Sequence, residues 1–259
     1  MKRTLIVIGF CSFIFLNFSA IQKENHFPGS DTLQNNARLK RISHFNSLNS
    51  SERARMMDEY SYSETGKVSK VSHFVCNDGI LDRVTGYDLY EYNSSGQLVK
   101  ILEYSGNSNN PQGFINLKNH IYTYSADGKK LKDYTEFPRI TSFEYLLYKY
   151  SGDKVVRVEH YDHLNELVSY DVYEYDPSGK MMKETSYVND NQSYSYTIHS
   201  YSGELNIKSD TYIVKTEIHL REINKTYDSG NKLKILESKE LWVASSMASY
   251  VLRYEYEER

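Results

Sequence analysis

One short unit recurs from Tyr60 to the C-terminus and limits what this chain can fold into. Its clearest copy runs from Tyr173 and Tyr175 through Asp176 and Gly179 to Met181, Lys183 and Tyr187. Tyr90, Tyr92, Asn93, Gly96, Leu98, Lys100 and Tyr104 match it at every anchor. Tyr60-Ser-Tyr62 with Gly66, and Tyr122-Thr-Tyr124 with Gly128, keep its front half. Variants with a shorter turn are Tyr148-Lys-Tyr150-Ser-Gly152, His199-Ser-Tyr201-Ser-Gly203 and Tyr227-Asp-Ser-Gly230. The seven glycines lie 30, 32, 24, 27, 24 and 27 residues apart, a period that indicates supersecondary units stacked in a row.

The chemistry of one unit predicts a β-hairpin. Tyrosines two apart share one face of a strand. Asp, Asn or Ser then opens a turn, because its short side chain can bond the backbone ahead. Glycine takes the positive-φ position of the loop. Looser connections at Asn77-Asp78-Gly79, His163–Glu166 and Asn189–Gln192 lead to the next hairpin, for about fifteen strands in series. Short connections favour antiparallel neighbours. The expected fold is all-β: a long antiparallel meander of about seven repeated hairpins in one extended, twisted and curled sheet. A propeller is disfavoured because its blades need four strands.

Composition agrees. All 25 tyrosines of the 259 residues lie at or beyond Tyr60, and aromatic residues favour pleated, half-buried surfaces. The mean hydropathy of −0.63 argues against a polytopic membrane protein. With 31 basic against 34 acidic residues there is no electrostatic reason to expect nucleic acid. A transmembrane barrel is disfavoured too, since Lys and Glu occur on both faces of the strands.

The N-terminus reads as an export signal over 1–20. Lys2 and Arg3 precede an apolar run from Thr4 to Phe18, and Ala20 is the expected last residue before cleavage. An uncleaved anchor and a lipoprotein linked through Cys11 are the alternatives. Cleavage leaves Cys76 as the sole thiol, so no intramolecular disulfide forms. Cys76 lies at a strand end beside a turn and reads as structural. Residues 21–54 read as a polar flexible spacer, with a short helical turn near Ser50–Met57. The β-repeat domain is expected over 55–259, and the protein in the periplasm, at the cell surface or outside the cell.

The Tyr-x-Tyr-Asp-x-x-Gly-Lys-hydrophobe pattern resembles the YD repeat of Rhs-type proteins. It is closer still to tyrosine-rich hairpin repeats of uncharacterised proteins secreted by Bacteroidetes. The resemblance covers about Tyr60 to Arg259. It implies export and a β-repeat body with no known activity. Rhs-type proteins build a shell around a toxin, and some repeats are linked to carbohydrate binding. Repeat length, variable turns and the lack of a C-terminal toxin region separate this chain from them.

Catalytic signatures are missing from the sequence: it contains no phosphate-binding glycine loop, no G-x-S-x-G, no H-E-x-x-H and no C-x-x-C. His160 and His163 are the tightest histidine pair, yet at spacing three on a strand they diverge. Glu91, Glu174 and Glu255 each stand between two tyrosines and read as a solvated face. Lone Trp242 reads as edge packing. No catalytic residue, metal ligand or cofactor is expected. The leading expectation is an exported non-enzymatic protein that offers a sheet surface to a protein or cell-envelope partner, with no integral membrane domain once the signal is removed. The alternative is a carbohydrate-binding module whose tyrosine platform comprises Tyr90, Tyr92, Tyr122, Tyr124, Tyr173 and Tyr175.

Overall fold

A computed structural model describes residues 38–45, 53–107, 110–188, 191–241 and 250–256. The stretch 1–20 expected to be an export signal, Trp242 and most of the connection between the last two strands lie outside these residues. Sixteen strands follow one another: β1 (Leu39–Phe45), β2 (Met56–Tyr62), β3 (Val68–Asn77), β4 (Ile80–Tyr92), β5 (Leu98–Asn107), β6 (Asn110–Tyr124), β7 (Lys130–Phe137), β8 (Ser142–Ser151), β9 (Lys154–Tyr161), β10 (Leu167–Tyr175), β11 (Met181–Val188), β12 (Ser193–Ser202), β13 (Leu205–Ile213), β14 (His219–Tyr227), β15 (Leu233–Glu240) and β16 (Tyr250–Tyr256). Each pairs antiparallel with its sequence neighbours, and β1 also pairs with β16. The all-β antiparallel meander expected from the repeat is present. It closes into a barrel, which corrects the expectation of an open, curled sheet.

The closing strand comes from the segment read as a spacer. Leu39–Phe45 pairs with β2 on one side and β16 on the other, so the folded body begins near residue 39 and not 55. Its alternation was hidden by a bulge between Leu39 and Arg41, which puts Leu39 and Ile42 on one face despite their spacing of three. Met56 and Met57, expected in a helical turn, open strand β2. The seam is the best packed part of the barrel. Leu39, Ile42, Leu236, Leu252 and Tyr254 form one buried cluster, with Ile42 at 0% and Leu252 at 1% exposure. On the opposite side of the seam Phe45, Ala54, Met57 and Val251 form a second cluster, against which half-buried Cys76 packs.

Every repeat hairpin carries a bulge at the same place. Ser61 pairs with Lys70 but Tyr62 with Val68, leaving Ser69 as the extra residue. The same slip leaves Val99, Leu131, Val156, Met182, Ile207 and Lys234 unpaired in the other six hairpins. Bulges sharpen local twist, and one per hairpin bends the meander toward closure. Expelled from the pairing, Leu131, Met182 and Ile207 are 43%, 38% and 37% exposed.

The turns follow the repeat with one change. Gly66, Gly96, Gly128 and Gly179 hold positive φ, as expected. In the last hairpin Asn231 takes that position (φ 62°) in place of the expected Gly230. Asparagine tolerates this conformation better than other side chains.

The face that carries the paired tyrosines is the inner wall. Burial raises the pKa of Tyr60, Tyr90 and Tyr254 on this face and lowers that of Lys225. The residue between the two tyrosines, such as Glu91, Lys149, Glu174 or Glu255, points out and is exposed. A ring of eight tyrosines, one per even strand, lines one end of the barrel: Tyr62, Tyr92, Tyr124, Tyr150, Tyr175, Tyr201, Tyr227 and Tyr256.

Seven of these eight donate a hydroxyl hydrogen bond to a backbone carbonyl of the preceding strand, at 2.5–3.0 Å. The pairs are Tyr62 to Leu39, Tyr124 to Leu98, Tyr150 to Lys130, Tyr175 to Val155, Tyr201 to Met181, Tyr227 to Asn206 and Tyr256 to Leu233. The cation after the turn adds a second stitch. Lys129 donates to the Gly152 carbonyl in the next turn (2.9 Å) and lies over the Tyr150 ring, and Lys180 does the same for Gly203 (2.7 Å) and Tyr201. The repeat is therefore a fastening device between hairpins.

Two stability outcomes follow. Ile42→Ala leaves a cavity at the closure seam and is expected to lower unfolding free energy by about 2–5 kcal/mol in urea titrations. Tyr175→Phe removes one stitch and leaves a carbonyl without its donor, an expected loss of about 0.5–1.5 kcal/mol. Tyr145→Phe on the outer wall is expected to cost less in the same titration.

Candidate functional site

Barrels of about sixteen strands enclose more space than their side chains fill. This barrel therefore has two surfaces that can meet another molecule, an inner wall and an outer wall.

The inner wall is polar and built in rows. Two residues before the tyrosine ring stands a second row: Tyr60, Tyr90, Tyr122, Tyr148, Tyr173, His199, Lys225 and Tyr254. Two residues earlier again come Asp58, Asp88, His120, Leu146, Asp171, Thr197, Ile223 and Leu252. Histidines on the odd strands link the carboxylates of this third row. Asp58 receives His44 Nε2 at 2.8 Å and His73 Nδ1 at 2.7 Å, and the other nitrogen of His73 lies 3.5 Å from Asp88. Further round, His120 joins Glu103 at 2.8 Å and Thr135 at 3.0 Å, with Asp133 at 3.6 Å.

These contacts set protonation. Burial opposes charge on Asp58, but the hydrogen bonds from His44 and His73 hold its carboxyl well below the usual range. Burial likewise works against protonating His73, and its bonds to Asp58 and Asp88 outweigh it, raising the pKa to about 10. The network is thus an ion-paired girder across β1–β4. Sequence reasoning missed it, although the signal was legible in the recurrent Asp-x-Tyr-x-Tyr of 58–62, 88–92 and 171–175.

All six tyrosines proposed as a carbohydrate platform lie on this inner wall. Tyr124 and Tyr175 spend their hydroxyls on Leu98 and Val155, and Lys67, Lys130 and Lys154 lie over Tyr92, Tyr122 and Tyr175. A saccharide stacking on them has to enter the barrel. His160 faces inward, 3.5 Å from Glu144, while His163 is exposed in the following turn. Glu91, Glu174 and Glu255 are exposed on the outer wall, where Glu174 pairs with Lys183 (3.7 Å) and Glu255 with Arg41 (3.9 Å). Among the described residues no group of three His, Cys, Asp or Glu side chains is placed to hold a metal ion. Burial pushes the Cys76 thiol up, away from the reactive thiolate.

The outer wall carries a different aromatic set. Tyr87 stacks on Tyr104 (ring centroids 4.8 Å apart), with Phe114 edge-on to it. Tyr134 stacks on Phe143, Tyr145 on Tyr161 (4.9 Å) and Tyr170 on Tyr187 (4.7 Å). Tyr196, Tyr212 and His219 form a run of three. Cations cover several of these rings: Lys70 lies over Tyr87, Lys132 over Tyr145 (3.9 Å) and Arg157 over Tyr170 (3.6 Å). Five residues before the ring tyrosine of the same strand, Tyr87, Tyr145, Tyr170 and Tyr196 stand at one level around the barrel.

No known protein family matches the chain, and no curated protein matches it. Solved structures with a similar strand arrangement include a porin-like protein from Bacteroides uniformis, at 9% identity and a TM-score of 0.41 over 85% of this chain and 96% of that one. A porin-like protein from Bacteroides vulgatus aligns at 8% identity and a TM-score of 0.35, over 85% and 98% of the two chains. The TcdB2–TccC3 complex aligns at 15% identity and a TM-score of 0.31 over 75% of this chain, which spans 12% of the longer one. All three lie below a TM-score of 0.5, too distant to carry a role across.

The His73 contacts predict a pH dependence. A histidine with a folded pKa raised to about 10 contributes stability that is complete below its unfolded value of about 6.5. That contribution is lost as pH rises through the folded value. The difference in melting temperature between the wild type and His73→Gln is therefore expected to be largest near neutral or lower pH and to shrink toward pH 10. A difference that grows over this range would contradict the assignment.

Proposed function

We propose that this chain is an exported, non-enzymatic β-repeat barrel that presents its outer wall to a protein or cell-envelope partner. The carrying observation is the division of the tyrosines. The paired tyrosines before the turns face the inner wall, where those of the ring fasten hairpins, whereas Tyr87, Tyr104, Tyr134, Tyr145, Tyr161, Tyr170, Tyr187, Tyr196 and Tyr212 stand on the outer wall in stacked contacts. Rigid tyrosines, here with Arg157 beside Tyr170, are among the residue types that anchor protein interfaces.

The outer wall is a surface for water. Arg157 pairs with Glu159, and Lys208 with Asp210 and Glu222, in the middle of outward-facing rows. Arg or Lys facing lipid at mid-depth costs about 2–4 kcal/mol each. Export is supported by the basic n-region and apolar run of 1–20, and the tyrosine repeat is read as YD-like in this same proposal.

A photo-crosslinker placed at Tyr161 in the exported protein is expected to capture one saturable envelope partner. The Tyr145→Ala/Tyr161→Ala double variant, placed under the same selection with the crosslinker at Tyr196, is expected to lose most of that capture while remaining folded. Equal capture by the double variant would defeat the reading. A glycan array distinguishes the alternative: binding that disappears in Tyr173→Ala would move the interaction to the inner wall.

A further inference from the structure

The second inner row is tyrosine on six of its eight strands. The two interruptions, His199 on β12 and Lys225 on β14, are neighbours among the even strands, with only β13 between them. Both keep the ring tyrosine two residues later, Tyr201 and Tyr227, and both of those still make their stitches. The fold is therefore maintained at these positions while the row's chemistry changes from phenol to two bases.

The residues between them are arranged to meet these bases. Ser209 on β13 is directly opposite His199, and its hydroxyl lies 2.9 Å from His199 Nδ1. Lys225 Nζ donates to Asn206 Oδ1 at 3.2 Å, and the Ser209 hydroxyl reaches the same oxygen at 3.4 Å. Lys225 has no ion-pair partner among the described residues. The carboxylates of this sector, Asp210 and Glu222, belong to the outer wall, where Lys208 occupies them. Glu184, on the inner wall of β11, is opposite Thr197, one row away. His199 Nε2 is buried without a hydrogen-bond partner. When the Ser209 hydroxyl turns its one proton from Asn206 Oδ1 to Nδ1, the closer of the two, His199 carries its own proton on Nε2, a donor with no protein partner.

We propose that His199, Lys225 and Ser209 form a binding site on the inner wall for an oxyanion, the phosphate, sulfate or carboxylate group of a ligand that enters the barrel. A buried ammonium is stable when a counter-charge accompanies it, and here the protein supplies only a neutral amide oxygen. Burial accordingly lowers the pKa of Lys225, and burial together with the Lys225 charge lowers that of His199 to about 4. An incoming oxyanion supplies the missing charge and accepts from both the ammonium and Nε2. Tyr173 and Tyr254 flank the pair in the same row, giving the rest of such a ligand aromatic walls.

The row itself provides the test variants, because tyrosine already occupies this position on six strands. Titration calorimetry of the full-length protein with inorganic phosphate, sulfate and acetate, separately, is expected to show saturable binding of at least one. Lys225→Tyr and His199→Tyr are each expected to weaken it tenfold or more, with circular dichroism and anion-free melting confirming the barrel. Lys225→Met replaces Lys225→Tyr if that variant does not fold. Lys100→Gln on the outer wall is expected to bind like the wild type. Preference for phosphate or sulfate assigns a phosphorylated or sulfated ligand, and preference for acetate a carboxylate-bearing one. No saturable binding by the folded wild type, or equal weakening by Lys100→Gln, overturns the site.

Discussion

The pairing of β1 with β16 is the contact on which the rest of the molecule depends. A meander of antiparallel strands ends in two edges, each a row of unpaired backbone groups that invites association with other chains. Here a seven-residue strand from the N-terminal side closes both at once. Closure is also what defines an inside, and so it creates the distinction between the walls. A cluster of apolar side chains, Ile42, Leu236 and Leu252, packs at the seam, while on the remaining inner wall tyrosine, carboxylate and imidazole alternate with buried Val71, Ile101 and Val158.

Away from the seam, cohesion passes from hairpin to hairpin. Seven of the eight ring tyrosines give their hydroxyl to the strand before them, and a lysine from the previous hairpin lies over the rings of Tyr92, Tyr150, Tyr175, Tyr201 and Tyr256. Tyrosine suits this task because its body is apolar and its tip is a donor. A single stitch contributes only about 0.5–1.5 kcal/mol net, yet seven of them and seven aligned bulges act in the same direction. The His44–Asp58–His73–Asp88 chain adds an ionic girder where the first four strands meet the seam. Replacing such a buried pair by apolar side chains is often neutral, whereas removing one partner is costly because it leaves the other charge unpaired.

Much of the barrel was legible in the chain because each hairpin is local. Tyr173 to Tyr187 contains its own strands, turn and return, and the structure has them where the spacing put them. The failures have identifiable causes. β1 was unreadable because the bulge at Lys40 broke the alternation of Leu39 and Ile42, and its partner β16 is about two hundred residues away. Gly230 attracted the turn assignment by its residue type, whereas the chain geometry placed Asn231 at the positive φ. The carboxylate–histidine links join residues on different strands, and only the aspartates of Asp-x-Tyr-x-Tyr left a trace in the repeat.

The sequence by itself determined the hairpins, their antiparallel order and the face shared by the paired tyrosines, since alternation and turn chemistry act over a few residues. Tertiary structure alone decided that the sheet closes, which face becomes the inner wall, and that His199 and Lys225 become neighbours across β13. Those outcomes depend on register between strands and on the meeting of the two chain ends. Neither is encoded by any short window of residues, because a pairing over long separation is selected by the total packing of the seam.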